Sequence, residues 1–347
     1  GGTSRTLVLD DVQPGTYSYL LSVSNSFGVV VTDAAILTVR PGVTPTPVAN
    51  PGIAGPLNSV TFFNSLFGFI TGDDGAFRYT INGGQSWLTS LPGVPNRITG
   101  AAFYGGAWWI AGSGGLICVS YDRGVTWIPF NTGTSETFTG ITFGRDGTGF
   151  AVGSGGTICV YRNGVWVPAS GIPGNVNFYG VYTFGGSAWA VGSGGTICVY
   201  RNGGWVAANT GGFGGTFYGV SFWNASFGIA VGSGGTVCIS RDGGLSWSPV
   251  NVGSSTDFLT SAFASANVLF IGGRGGVLCV STDGGLTWSA LSTGTTADIT
   301  SISWRDGQGF YVDANGICRA FNFAGFTPNR PPLVRILNPL NTTTLET

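Results

Sequence analysis

The 347-residue chain contains no Lys, no His and no Met. All 14 basic residues are therefore Arg, and of the 15 acidic ones only Glu136 and Glu346 are Glu. Charged residues make up 8% of the chain, against about a quarter in ordinary globular proteins. Losing His and Lys removes the commonest general bases and the imidazole ligand of zinc sites. A net charge of −1, with no Lys, leaves no footprint for nucleic acid or an anionic membrane. No apolar run approaches the ~18 residues of a membrane span. The opening Gly1-Gly2-Thr3-Ser4-Arg5 lacks a start Met and is not a signal peptide, so the chain reads as processed or cut from something longer.

Glycine, in contrast, is abundant, at 62 residues. Hydrophobic residues are 43% and aromatics 13% of the chain. That is enough apolar material for a large core and argues against disorder.

An internal repeat organises this material. Gly153-Ser154-Gly155-Gly156-Thr157-Ile158-Cys159-Val160 returns at 192–199 and, as Gly-Ser-Gly-Gly-Thr-Val-Cys-Ile, at 232–239; residues 112–119 and 273–280 are close variants. The six Cys, at 118, 159, 198, 238, 279 and 318, are 39 to 41 residues apart. Trp87, Trp127, Trp166, Trp205, Trp247 and Trp288 follow the same period. Each repeat holds four short runs rich in Val, Ile, Phe, Tyr and Thr, split by Gly turns, and none has a helical period. Four strands per ~40 residues is the signature of a propeller blade. Seven repeats fill about 57–330, with Arg78 at the Cys position of the first and a degenerate turn in the seventh, which centres on Val312 to Cys318. The expected fold class is all-β: a seven-bladed β-propeller with immunoglobulin-like β-sandwich segments at the termini. Closing the ring calls for a strand from one end to complete a blade made at the other, and the Pro-rich stretch before residue 57 is the candidate. Glycine supplies the positive φ of the turns, and stacked blades explain the scarcity of charge.

Ser240-Arg241-Asp242-Gly243-Gly244-Leu245-Ser246-Trp247 fits the pattern S-x-D-x-G-x-x-W, as do residues 281–288 and 120–127. Thr80 to Trp87 is a near match, and the third and fourth repeats are shortened, as in Tyr161-Arg162-Asn163-Gly164-Val165-Trp166. This motif resembles the Asp box of sialidase-type propellers, and the Gly-rich strands around it look most like the repeats of photosystem II stability/assembly factors. The resemblance covers about four fifths of the chain and implies the propeller fold. Asp boxes occur in hydrolases, assembly factors and adhesins alike, so it implies no single activity. The box residues Ser120, Asp122, Trp127, Ser240, Asp242, Trp247, Ser281, Asp283 and Trp288 read as structural: the Asp accepts turn N–H groups and the Trp wedges between sheets.

The ends depart from the repeat. Residues 1–40 resemble the last strands of an immunoglobulin-like domain, with Asp11 to Tyr19 approaching strand F, Tyr17 as its corner tyrosine and Tyr19 where antibody domains place a Cys. Residues 41–56 read as a Pro-rich linker. Residues 331–347 resemble the opening strand of such a domain. Neither piece buries its apolar face alone. A window cut from a multidomain surface protein, a subunit whose last strand completes the next subunit's sandwich, and a monomer with its ends packed on the propeller all fit.

Little chemistry is visible. Equivalent Cys in neighbouring blades should lie about 10 Å apart, beyond the ~7 Å reach of a disulfide, and read as buried packing groups. Sialidases of this fold carry an arginine cluster and a Tyr/Glu pair, but the only propeller Glu is Glu136, in a polar loop. Arg123, Arg162, Arg201 and Arg241 fall at repeat spacing in outer turns, as solvated positions would. Asp73, Asp74, Asp146, Asp257, Asp298 and Asp306 lie in loops, and nothing in the sequence pairs them as a glycosidase needs. Asp73-Asp74 is a nominal cation site; Trp108-Trp109, Phe213, Tyr218 and Trp223 are nominal sugar-stacking groups. No catalytic, cofactor or metal residues are expected. The main reading is a non-enzymatic extracellular structural protein of a cell-surface layer, filament or virion, self-associating or joined to neighbouring domains. The alternatives are a carbohydrate-binding adhesin whose partners are glycans, and an assembly factor docking on a membrane protein complex.

Overall fold

The computed structural model describes residues 48–323 apart from 171 and 173, and the backbone of strands Leu7–Asp10, Gly15–Tyr19, Ser22–Asn25, Gly28–Val31, Ala35–Val39, Val43–Pro47, Leu333–Asn338 and Asn341–Leu345. Two compact units result: Thr44–Asn322, and Gly1–Val43 with Phe323–Thr347.

The larger unit is a seven-bladed β-propeller of four-stranded sheets. Blades 1 to 6 span 57–90, 98–129, 138–168, 178–207, 217–250 and 258–291, each running in chain order from an innermost to an outermost strand. Blade 7 takes three strands from 299–323 and its fourth from Val43–Pro47. The Pro-rich stretch is therefore not only a linker: its first part finishes the last sheet, as closure asks. Pro is tolerated there because the strand is an edge. Innermost strands pack in sequence, and Ile299–Arg305 meets Leu57–Phe62, so the ring closes. No helix among the described residues is long and apolar enough to cross a membrane.

Second strands, such as Gly149–Gly153 and Gly228–Gly232, are buried throughout. Blades stack through one recurring aromatic pair, formed by the second strand of one blade and the inner strand of the next. Trp189 stacks on Phe222 at 3.6 Å between ring centroids, Phe270 on Trp304 at 5.1 Å, and at the closing seam Phe310 on Phe62 at 3.7 Å. Burying such rings is the main source of stability, about 1.5–3 kcal/mol each. The turn between second and third strands explains one glycine of the repeat. A Cβ at Gly153 would land on the Thr137 carbonyl oxygen, because Ser154 N–H donates to that same oxygen at 3.0 Å.

All six Cys are free and buried. Desolvation raises the Cys238 thiol to about 11, far from a reactive thiolate. The structure corrects the sequence register at the sixth. Val312 pairs with Cys318 as Val191 pairs with Ile197. Cys318 thus occupies the Ile position, and Arg319 stands where Cys198 stands. Arg78 occupies the same position in blade 1, since Thr71 pairs with Phe77 as Ala111 pairs with Ile117. The coincidence of 39 residues between Cys279 and Cys318 conceals this one-residue slip.

In the smaller unit, Leu7–Asp10 pairs antiparallel with Leu333–Asn338, which pairs with Asn341–Leu345. Gly15–Tyr19 pairs with Ala35–Val39, and Ser22–Asn25 with Gly28–Val31. The strand that a head-to-tail filament would donate is thus paired within its own chain. The corner role of Tyr17 and the Cys-like place of Tyr19 concern side chains outside the described set, as do Pro331 and Pro332.

Candidate functional site

The three full Asp boxes form one device. Ser240 Oγ donates to Asp242 at 2.8 Å and accepts from Gly244 N–H at 2.7 Å. The carboxylate accepts the Ser246 N–H at 3.0 Å and its hydroxyl at 2.5 Å. The boxes of Ser120 and Asp122, and of Ser281 and Asp283, repeat these bonds. The Thr126 hydroxyl and amide hold Asp122 down at about 2. In Asp242, desolvation pushes upward, but the Ser246 hydroxyl and amide prevail and hold it at about 2. Trp247 Nε1 donates to Gly244 O at 3.0 Å, and its ring meets Phe222 edge-on. Trp288 does the same to Gly285 O at 3.2 Å, whereas Trp127 donates to Ser90 Oγ at 3.1 Å. A carboxylate that accepts this many bonds is fixed as a turn clamp and is a weak base.

Three arginines of these turns are not solvated spectators, which corrects the sequence reading. The Arg201 guanidinium donates to Gly243 O of the next blade, and Trp189 Nε1 donates to the same oxygen. Arg241 reaches Gly284 O at 3.3 Å and covers the Phe227 ring at 4.7 Å. Arg162 lies 5.5 Å over Tyr200. They clasp blades together. Arg123 is exposed.

The loop carboxylates are dispersed. Asp73 pairs with Arg97 at 2.9 Å and accepts from Asn58, so the nominal cation site is an ion pair. Asp74 is exposed, with φ 53°. Glu136 accepts from Ser154 at 2.6 Å, Asp146 from Thr148, and Asp306 from Ser65 N–H. Asp257 and Asp298 alone converge, and an arginine lies between them. Among the described residues, no group of three His, Cys, Asp or Glu could hold a metal ion. Of the nominal stacking groups, Trp108 and Trp109 are core residues, and Phe213 packs on Phe217. Trp223 is exposed and tilts towards Phe263.

One feature recurs in all seven blades, at the start of the innermost strand. The pairing of inner and second strands slips at the second residue of the inner strand, for example between Ile98 and Gly100 and between Phe178 and Gly180. Such bulges re-aim a side chain. The bulged residues are Asn58, Thr99, Thr139, Tyr179, Tyr218, Leu259 and Thr300. The threonines tie blades together: Thr99 Oγ1 donates to Phe138 O at 2.6 Å, Thr139 to Phe178 O at 2.8 Å, and Thr300 to Leu57 O at 2.6 Å. Blades 4 to 6 substitute Tyr179, Tyr218 and Leu259. The two tyrosines meet edge to face at 5.4 Å, and Tyr179 is 37% exposed.

Beside them stands Arg274, where the turns of blades 2 to 5 have Ser113, Ser154, Ser193 and Ser233. It donates to Asp257 at 3.1 Å and to Asp298 at 3.3 Å, with 56% of its side chain exposed. The Asp257 hydrogen bond, with the nearby Asp298 charge and the Tyr218 phenol, raises its pKa against a desolvation that lowers it. Asp257 and Asp298 also accept from Gly234 and Gly275 N–H, at 2.8 and 2.9 Å, bolting adjacent blades. The arrangement is a preorganised patch of two tyrosines, a leucine and a braced arginine. Aromatic and arginine side chains of this kind are the usual anchors of protein interfaces. Sequence reading named Tyr218 but missed Tyr179 and Arg274. The available signal was departure from the repeat: Tyr where sister blades have Thr, Arg where they have Ser.

Comparison with known proteins agrees with the architecture. Residues 280–290, the box of blade 6, match the BNR/Asp-box repeat family. No curated protein matches the chain. Among solved structures, "YCF48 bound to D1 peptide" is similar with a TM-score of 0.65 and 18% identity, over 81% of this chain and 96% of that one. "YCF48 from Cyanidioschyzon merolae" gives 0.65 and 18%, over 81% and 99%. The WD40 β-propeller domain of Doa1 gives 0.69 and 11%, over 81% and 97%. At these identities the likeness shows the seven-bladed fold.

Proposed function

We propose that this chain is a non-enzymatic docking propeller, an assembly-factor-type module that holds a segment of a protein partner at the channel mouth of blades 4 to 6. The observation that carries the reading is the patch formed by Tyr179 and Tyr218 at the bulge positions and Arg274 in the blade 6 turn. Rigid β-structure presents large amphipathic anchors there at low entropic cost. The solved propeller titled as YCF48 bound to D1 peptide supports it by analogy of fold. The acidic groups support the non-enzymatic half, because among the described residues all but Asp74 are committed to a turn, a hydroxyl or an arginine. The surface-filament reading loses its donor strand to the pairing of Leu7–Asp10 with Leu333–Asn338. We read these end strands as an immunoglobulin-like unit completed within one chain, and the protein as extracellular or surface-exposed.

The test is a displayed random-peptide library panned on the wild-type protein. Enriched peptides should bind tightly enough to measure and lose tenfold or more in affinity on Tyr218→Ala or Arg274→Ala. Enrichment that ignores both substitutions would sink the reading. Specific hits on a glycan array, with no peptide enriched, would favour the adhesin alternative.

A further inference from the structure

The two faces of the propeller differ in what they expose. The hairpins between inner and second strands lie on one face, together with the third-to-fourth-strand turns that hold the Asp boxes. Gly83 N–H donates to Leu66 O, Gly243 N–H to Ser226 O and Gly284 N–H to Asn267 O, each at 2.9 Å, tying turn to hairpin within a blade. The second-to-third-strand turns, the connectors and the tyrosine patch lie on the other face. Of the six most exposed large apolar side chains among the described residues, five belong to the box face: Val125, Leu286, Ile81, Tyr121 and Leu66, from 78% down to 56% exposed. The sixth, Leu91, is in a connector. The hairpins of blades 4 and 5 add Phe184 and Trp223 to the box face.

Folding does not ask for these side chains. Val125, Leu245 and Leu286 hold one position of the three full boxes, where the backbone N–H donates to the box carboxylate at 3.1, 3.1 and 3.0 Å while the side chain stays exposed. Blade 1 has Gln85 at that position, so the turn itself accepts a polar residue. The same face carries Arg123, Arg145, Arg162, Arg201, Arg241 and Arg305. Among the described residues none of the six makes an ion pair, and all three ion pairs lie on the connector face. The carboxylates of the box face are engaged elsewhere: Asp122, Asp242 and Asp283 by their own turns, Asp146 by Thr148 and Asp306 by Ser65 N–H. Arg123, Arg145 and Arg305 are exposed.

We propose that the box face docks on a bilayer that carries anionic phospholipid. Exposed apolar tips and guanidiniums without carboxylate partners, on one face, are what interfacial binding needs. Aliphatic and aromatic side chains enter the boundary between headgroups and acyl chains, and arginines meet the phosphates. The tips come from blades 1, 2, 4, 5 and 6, so a flat surface meets them together where a single extended segment does not. Their turns are already fixed by hydrogen bonds, so little order is lost on contact. A net charge of −1 over the whole chain conceals this arrangement, because the paired charges sit on one face and the unpaired arginines on the other. The assignment goes beyond the docking reading and stands without it.

Flotation of the full chain with lipid vesicles tests it. Vesicles of phosphatidylcholine mixed with phosphatidylglycerol should carry the protein, and pure phosphatidylcholine should bind it about tenfold or more weakly. Val125→Ser combined with Leu286→Ser alters exposed tips alone, so the protein should keep its Tm and lose about tenfold or more in affinity for the mixed vesicles. Arg123→Gln combined with Arg145→Gln should lose most of the preference for the anionic lipid. Tyr218→Ala, on the opposite face, should change neither. No binding to the mixed vesicles, equal binding to both kinds, or full binding by the folded tip variant would each overturn the assignment. So would a chain that ignores vesicles but self-associates through these tips in light scattering, which would make the face an interface between copies. Vesicle binding as expected, with no peptide enriched at the tyrosine patch, would uphold this assignment and remove the docking reading alone.

Discussion

The two sides of blade 7 make an internal experiment. Towards blade 1, the connector 48–56 lays its carbonyl oxygens on Arg78, and Phe310 stacks on Phe62. Towards blade 6, a shorter connector leaves Arg319 unmet beside an open groove. The same residue type at the same repeat position is a structural clasp on one side and a shielded, unpaired donor on the other. Whether a buried charge stabilises is decided by what faces it, not by the residue.

The largest effect should come from breaking the closed side. Phe310 is fully buried, and Phe310→Ala should cost about 3–5 kcal/mol in denaturant unfolding. A cost below about 1 kcal/mol would mean that the stack does not hold the ring shut. Next comes Arg78→Cys, which should lose about 1–3 kcal/mol because two connector carbonyls lose a charged donor. Its counterpart Arg319→Cys should lose nothing. Equal losses at both sites would erase the contrast between the two sides.

Acid sharpens the comparison by leaving the closing side alone. Asp122 and Asp242 are held near 2, below the ordinary 3.8, and Asp283 is lowered as well, its own desolvation being outweighed by bonds from Thr287 and Ser281. Their contribution is fully present above the unfolded value and is lost as pH falls through the folded one, so stability should drop between about pH 4 and pH 2. In blade 1 the box carries Asn82, which accepts the Ser86 N–H at 3.0 Å without titrating. Hydrogen exchange should therefore show the Ser246 and Thr287 amides loosening on acidification before that of Ser86. Asp242→Asn with Asp283→Asn should flatten the acid limb, and an unchanged limb would show that other groups control it. The smallest effect belongs to Tyr218→Ala. It should shift stability by less than about 0.5 kcal/mol, as a surface change does, while removing peptide binding.

Much of this was legible before any coordinates. A repeat that buries its faces only by stacking specifies radial sheets, and Asp242 with Ser240 and Ser246 spells out its own turn. The register of blade 7 was not legible, because Cys318 falls on the period by coincidence and only strand pairing puts Arg319 in the Cys place. The arginine clasps were hidden too. Arg201 and Gly243 are 42 residues apart, and nothing local tells a side chain which blade lies beside it. Tyr179 and Arg274 were visible as letters that break a pattern, but the bulge at Tyr179 and Tyr218 exists only once two strands pair, and the two tyrosines meet only once blades 4 and 5 pack.

By itself, then, the sequence determined the number of blades, the turns and the apolar character of the strands, because hydrophobic period and turn chemistry act over a few residues. Tertiary structure alone decided which edge strand closed the ring, which charges found partners and which did not, and where tyrosines from separate blades met. Those outcomes depend on the distance between segments remote in sequence, and that distance is fixed by packing seven sheets around one axis.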